Sequence, residues 1–262
     1  MSQISALPEE YATPLAPYLP LLGPHELPHL TLTYATSLDS AISLSPGTQT
    51  HLSGPISKAM THHLRSFHDA ILVGVSTAVA DDPGLNCRIE GAQSQPIPVI
   101  LDPSGRWEIT ESARVIETAK VGNGRAPLII IDSKYLDNDN VVQRNKMLQK
   151  YGGKYIGLDL DEKGRFDWRS ILLALKSLGV ESLMVEGGAT VINTLLGTDE
   201  TRQLIGSVIV TFAPTWLGQG GVIVSPKREF DDEGKYEPPR LKEVKWIPMD
   251  QDVVLCGRVT RK

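Results

Sequence analysis

The chain has 262 residues, 41% of them hydrophobic and 22% charged, with a formal net charge of −5. This is an ordinary globular composition, it excludes a nucleic-acid footprint, and it means that an anionic ligand would need cations placed locally. Cys87 and Cys256 are far apart in no metal-like spacing, which argues against a disulfide framework and suits a reducing, cytoplasmic setting.

Met1 to Pro28 is rich in Pro and Leu. It has no basic segment followed by an uninterrupted apolar run, so it is expected to be a Pro-rich N-terminal extension and not a secretory signal. No run approaches the roughly eighteen apolar residues of a membrane span. His29 to Ala35 alternates like a strand, and Ile56, Met60, Leu64 and Phe67 then fall on one helical face. Ala70–Gly74, Ile97–Leu101 and Pro127–Asp132 have the length and composition of buried strands.

A polar-faced helix is expected over Val141–Lys150, a strand over Lys154–Leu158, and a helix through Trp168, Ile171, Leu172, Leu175 and Leu178, stopped by Gly179. Ser182–Glu186 reads as a strand closed by Gly187-Gly188 and followed by a helix through Val191, Ile192, Leu195 and Leu196. The last third reads as strands at Ser207–Phe212, Lys242–Ile247 and Asp252–Val259. Thr118–Ala126 and Pro226–Arg240 are expected to be exposed loops. Buried strands alternating with amphipathic helices predict an α/β fold. Its sheet is mixed but mostly parallel, with helices on both faces, in one domain from residue 29 onward.

Two segments carry chemistry. In MVEGGATVINTLL (Met184–Leu196), two glycines follow a strand end, where backbone can approach a phosphate and a helix start offers free N–H groups. Glu186 brings a carboxylate to the same crevice; the plainer alternative is a tight strand-to-helix turn with an exposed Glu. In ILVGVSTAVADDPGLNCR (Ile71–Arg88), Ser76 and Thr77 sit at a helix start, where they either cap it or bind a diphosphate. Pro83 ends that helix after Asp81-Asp82, and Arg88 carries a fork suited to phosphate. Alone, the Asp pair reads as a solvated turn. Gly122-Asn123-Gly124 and Gly218-Gln219-Gly220 lack the third glycine of a dinucleotide fingerprint. His62, His63 and His68 read as surface and packing residues, so no metal is expected. No serine-hydrolase elbow or zincin motif occurs.

The blocks TYATSLDSAIS, LSGPISKAMTHHLRSFHDAILVGVSTAVADDPGLNCR, PVILDPSGRW, LMVEGGATVINTLL and VIVTFAPTWLGQGG, in this order, resemble one family from about Leu30 onward. It is the fungal and archaeal 2,5-diamino-6-ribosylamino-4(3H)-pyrimidinone 5′-phosphate reductases of riboflavin biosynthesis, similar to the reductase half of the bacterial deaminase-reductase. The resemblance implies a dihydrofolate reductase-like fold over residues 29–262, NADPH as cofactor, a phosphorylated pyrimidinone as substrate, and a homodimer. It places Gly74, Thr77, Asp81, Gly157, Glu186, Gly187, Gly188, Ala189 and Thr190 at the cofactor. It places Asp39, Ser53, Asn86, Arg88 and again Glu186 at the substrate. Ser40 stands where many relatives have Gly. At the fold's usual 2′-phosphate position, Ser104 and Arg106 are expected ligands, and Asp102 is expected to repel.

The reaction so implied opens the ribosylamine and delivers a hydride to the sugar C1′, with the protein supplying orientation and electrostatics. Glu186 or Asp39 is expected to orient the pyrimidine amino groups or assist ring opening; no general acid is assigned. A non-catalytic NADPH-binding protein on the same fold is the alternative, and a pteridine reductase lacks the DDPxLxxR block. No zinc-deaminase signature occurs in the chain, so reduction without deamination is expected.

Overall fold

The computed structural model describes residues 3–20, 23, 25–230 and 234–260. In chain order the first elements are α1 (Glu9–Leu15), a 3₁₀ turn (Ala16–Tyr18), β1 (His29–Thr36), β2 (Ala41–Ser43), α2 (Pro55–Ser66), β3 (Ala70–Gly74), α3 (Val75–Asp81) and β4 (Ile97–Leu101). Next come α4 (Arg114–Lys120), β5 (Leu128–Asp132), a second 3₁₀ turn (Ser133–Tyr135), α5 (Asp139–Gln149), β6 (Lys154–Leu158), α6 (Trp168–Lys176) and β7 (Ser182–Gly187). The chain closes with α7 (Ala189–Leu195), α8 (Asp199–Gln203), β8 (Ile205–Phe212), β9 (Val222–Ile223), β10 (Leu241–Met249) and β11 (Asp252–Val259).

Among the described residues nine strands form one sheet, in the order β10-β11-β8-β1-β7-β3-β4-β5-β6. From β8 to β6 every pairing is parallel, and β11 and β10 add an antiparallel edge. Side chains alternate across the sheet. Leu72, Val99, Ile130 and Val185 pack on α6 and α7, through Ile171, Leu172, Leu175 and Ile192. On the opposite face Ile71, Val73, Ile100 and Ile129 pack on α3, α4 and α5. That face continues through Met184, Ile209, Val254 and Cys256 beneath α1 and α2. With both faces covered, the central strands are continuous apolar runs.

Three details differ from the sequence expectation. The segment 118–126 is not all loop: α4 runs to Lys120, with Val115, Ile116 and Thr118 buried, and the chain turns only at Gly122, whose φ is +74°. As expected, Gly157 lies inside the strand Lys154–Leu158, paired with Ile131, where a Cβ would sit 2.4 Å from Leu136 Cδ1. Phe67 leaves the buried stripe of α2 and is half-exposed against His63. The Pro-rich lead holds α1 and a 3₁₀ turn, and Leu7, Leu15 and Tyr18 are buried on the sheet. Residues 1, 2, 21, 22 and 24 of that lead lie outside the described residues. In the expected loop over 226–240, residues 226–230 and 234–240 are irregular and mostly exposed, and 231–233 lie outside the described residues. No helix among the described residues is long and apolar enough to cross a membrane.

Candidate active site

Two strand-to-helix turns meet where β3 and β7 end. Gly74 is the N-cap of α3 and Gly188 the N-cap of α7, and neither helix has a side-chain cap, so first-turn N–H groups are left for a ligand. A Cβ on Gly74 would lie 3.0 Å from Val191 Cγ2 and 3.9 Å from the Gly188 nitrogen; one on Gly188 would lie 3.0 Å from Thr77 Oγ1. A side chain at Gly74 or Gly188 would therefore be tight and would require Val191 or Thr77 to give way. Gly187 has a φ of +120°, which a side chain would strain. Ala189 and Thr190 open α7 beside them. Neither Ser76 nor Thr77 caps α3: Thr77 faces Gly188, and Ser76 receives a hydrogen bond from Arg106 Nη2. Bare backbone amides between close glycines fit the diphosphate of a dinucleotide.

Asp81 closes α3, and burial raises its pKa against the opposing pull of nearby His51. Gly157 is not beside these turns. It stands on β6, four strand spacings from β7, or about 19 Å, a separation that a dinucleotide must span to touch both.

Glu186 owes its position to a bulge. Leu72 pairs with Val185 and Val73 with Gly187, so Glu186 is the extra residue of β7 opposite β3. It meets Arg65 of α2 in a bidentate ion pair: Nε and Nη2 each donate at 2.7 Å, and both side chains are about seven-eighths buried. Arg65 Nη1 also donates to the Asn86 carbonyl at 3.0 Å. Burial alone would lower the Arg65 pKa, but the charge and hydrogen bonds of Glu186 reverse the sign and raise it. Each Glu186 oxygen keeps a further lone pair for a substrate N–H or O–H.

Asn86 is buried and donates from Nδ2 to the Asn123 carbonyl at 2.7 Å. Arg88 is half-buried, and no carboxylate among the described residues pairs with it. Nearby Asp82 accepts from the Arg114 backbone N–H. Burial, then the charges of Arg65 and Arg114, lower the Arg88 pKa. Asn86, Arg88, Arg114 and Asn123 line an open cavity of about 1160 Å³ at the flank of α4.

Asp39 is held by its own surroundings. Its carboxylate accepts from the backbone N–H groups of Leu217 (3.1 Å) and Gly218 (2.8 Å) and from the Ser37 hydroxyl. The Ser37 bond first, then the two amides, hold its pKa down to about 2. Asp39 thus clasps the segment after β8 to the β1–β2 turn, at the same end of the sheet. Ser53 lies just before α2, in a loop fastened by buried Asp252, which accepts from Gly54 N (2.8 Å) and Ser57 Oγ (2.6 Å).

Asp102 faces the protein interior. It is fully buried, and its oxygens accept from the amides of Arg106 (3.1 Å) and Trp107 (2.8 Å), which fixes the turn presenting exposed Ser104 and Arg106. No group of three or more metal-ligating side chains occurs among the described residues.

Arg65 and Asp252 were not singled out by the sequence reading. A signal for Arg65 existed: Ser57, Thr61 and Arg65 form a polar i, i+4 stripe beside the buried Met60–Leu64 stripe.

The RibD C-terminal domain family model matches residues 28–255. The chain is 42% identical over 240 residues to the 2,5-diamino-6-ribosylamino-4(3H)-pyrimidinone 5′-phosphate reductase of Debaryomyces hansenii, covering 89% of this chain and 90% of that one. It is 38% identical to the protein of the same name from Eremothecium gossypii, covering 97% and 98%. The solved structure of the Saccharomyces cerevisiae riboflavin biosynthesis reductase Rib7 superposes with a TM-score of 0.77 at 32% identity, over 96% of this chain and 100% of that one. The sheet order, the paired glycine turns and these likenesses agree, and the chain belongs to the RibD C-terminal domain family.

Proposed function

We propose that the chain is an NADPH-dependent reductase of riboflavin biosynthesis. It converts the ribosyl side chain of 2,5-diamino-6-ribosylamino-4(3H)-pyrimidinone 5′-phosphate to the ribityl chain. The observation that carries this reading is the Glu186 carboxylate, held by Arg65, on the residue next to the paired glycine turns. The names of the most similar fungal relatives support the substrate. NADPH supplies the hydride when bound.

The residues around it bind and orient. Gly74, Thr77, Gly187, Gly188, Ala189 and Thr190 hold the diphosphate through backbone, with Asp81 and Gly157 further along the dinucleotide. The free lone pairs of Glu186 accept from the pyrimidinone amino groups, and Asn86 and Ser53 border the same substrate. Arg88 anchors the 5′-phosphate. Asp39, held by the backbone after β8, positions that loop and borders the substrate with its remaining acceptor capacity. We also propose a cytoplasmic homodimer with residues 29–262 as the reductase domain and 1–28 as an extension against it.

The test is nicotinamide oxidation by the purified chain. NADPH should be consumed with the diamino substrate, at least about tenfold more slowly with its deaminated analogue, and not with dihydrofolate. Equal turnover of the deaminated compound overturns the substrate assignment. NADPH binding without turnover of either compound identifies a non-catalytic binding protein.

Cofactor preference has its own test. Arg106 reaches from the Asp102 turn to Ser76 of α3, which places a guanidinium beside the proposed diphosphate site. Arg106→Ala is expected to weaken NADPH about tenfold and leave NADH nearly unchanged, because only NADPH carries the 2′-phosphate. A proportionate loss for both, measured by calorimetry, removes Arg106 from that role.

A further inference from the structure

His62 has no part in the site as described so far. It sits on α2, three residues before Arg65, and is 2% exposed. Both of its ring nitrogens face Arg88: Nδ1 lies 3.0 Å from the Arg88 backbone nitrogen, and Nε2 lies 3.3 Å from Nε and 3.1 Å from Nη2. Burial first, then the charges of Arg65, Arg88 and Lys58, hold its pKa down to about 3, so the ring is neutral near pH 7.

A neutral imidazole has a single lone pair to give. It accepts from the Arg88 backbone N–H or from the guanidinium, never from both. In either case most guanidinium N–H groups stay unspent, and no carboxylate among the described residues pairs with the cation. A carboxylate at this position would neutralise Arg88 and compete with an anionic ligand. An aliphatic side chain would remove the one hydrogen bond the ring accepts from Arg88, at its backbone N–H or at its guanidinium, and with it the ring's restraint on the long Arg88 side chain. The Cys87 thiol, donating to the His62 carbonyl at 3.3 Å, ties the same two segments together.

We propose that His62 is a positioning residue: an uncharged clamp that fixes the Arg88 guanidinium for a phosphate monoester while leaving its charge available. This rests on the reading of Arg88 as the phosphate anchor and deepens it.

The test compares His62→Leu, which removes the acceptor, with His62→Asn, which keeps one. Each is assayed with the phosphorylated substrate and with its dephosphorylated form, and NADPH affinity and Tm report on folding. His62→Leu should raise KM for the phosphorylated substrate about tenfold, leave kcat nearly unchanged, and leave the dephosphorylated substrate untouched. His62→Asn should restore most of the loss. In an Arg88→Ala background, His62→Leu should add nothing. If His62→Leu does not fold, the smaller His62→Ala takes its place in the same comparison.

A loss equal for both substrates, or one persisting in full without Arg88, makes His62 a packing residue and overturns the proposal. If Arg88→Ala itself shows no phosphate-dependent loss, the Arg88 reading fails and this inference falls with it. If Arg88→Ala shows that loss and His62→Leu does not, the clamp alone is wrong.

Discussion

Glu186→Ala is expected to lower folding stability by about 3 kcal/mol, because it leaves the buried Arg65 guanidinium without its counter-charge. For a chain of this length that corresponds to a fall in Tm of about 10 °C. Among the described residues, the hydrogen bond left to Arg65 would be the one to the Asn86 carbonyl at 3.0 Å, which is too little for a cation almost wholly removed from water. Activity should fall at the same time. One substitution therefore mixes two effects, and the double replacement Arg65→Met/Glu186→Leu separates them. Apolar groups of similar volume remove both desolvation penalties, so thermal unfolding should return close to wild type. Turnover should not return, since the acceptor facing the pyrimidinone is gone. Should the double variant recover both stability and kcat/KM, the pair is only a structural strut and the carboxylate has no role at the substrate.

This pair also marks the limit of what the chain discloses before it folds. The strands β3, β4 and β5 were legible because strands covered on both faces are continuous apolar runs, and AILVG, IPVIL and LIIID leave little choice. The glycine turn after β7 was legible because close backbone approach needs glycine. The partner of Glu186 was not, since Arg65 lies 121 residues away and only the crossover through α2 brings it across. Nor was the bulge that aims Glu186, because a bulge is a property of register between two strands and not of either one.

Local composition is silent where a side chain serves the backbone. Asp102 and Asp39 stand among turn residues, and nothing in that local composition shows that each is engaged by main-chain amides. The glycines at 122 and 124 drew the second half of α4 into an expected loop, although its Thr118 packs inward. The β2–β9 ladder, three residues against two, is too short to show any period at all.

Arg88→Ala should reduce kcat/KM for the phosphorylated substrate about ten- to hundredfold, the worth of one charge-assisted contact of roughly 1.5–3 kcal/mol. A dianionic phosphate approaching a protein of net charge −5 needs a fixed local cation, and a guanidinium supplies one at every working pH with a fork matched to phosphate oxygens. The surroundings fit that task. Arg88 has no carboxylate partner among the described residues, it borders the same cavity as Asn86, and Arg114 adds a second positive charge nearby. Removing it should barely move Tm, since its loss strands no buried counter-charge; the contrast with Glu186→Ala is the point of making both variants. NADPH affinity should also hold. Arg88→Lys should recover part of the loss, because a point charge keeps the attraction but not the bidentate geometry. The decisive arm is a substrate lacking the phosphate. Wild type should handle it poorly, and Arg88→Ala should handle it no worse than wild type does. A mutant that loses the same factor with and without the phosphate places Arg88 elsewhere in the reaction, and the anchor must then be sought among the other cations lining the cavity, Arg114 first.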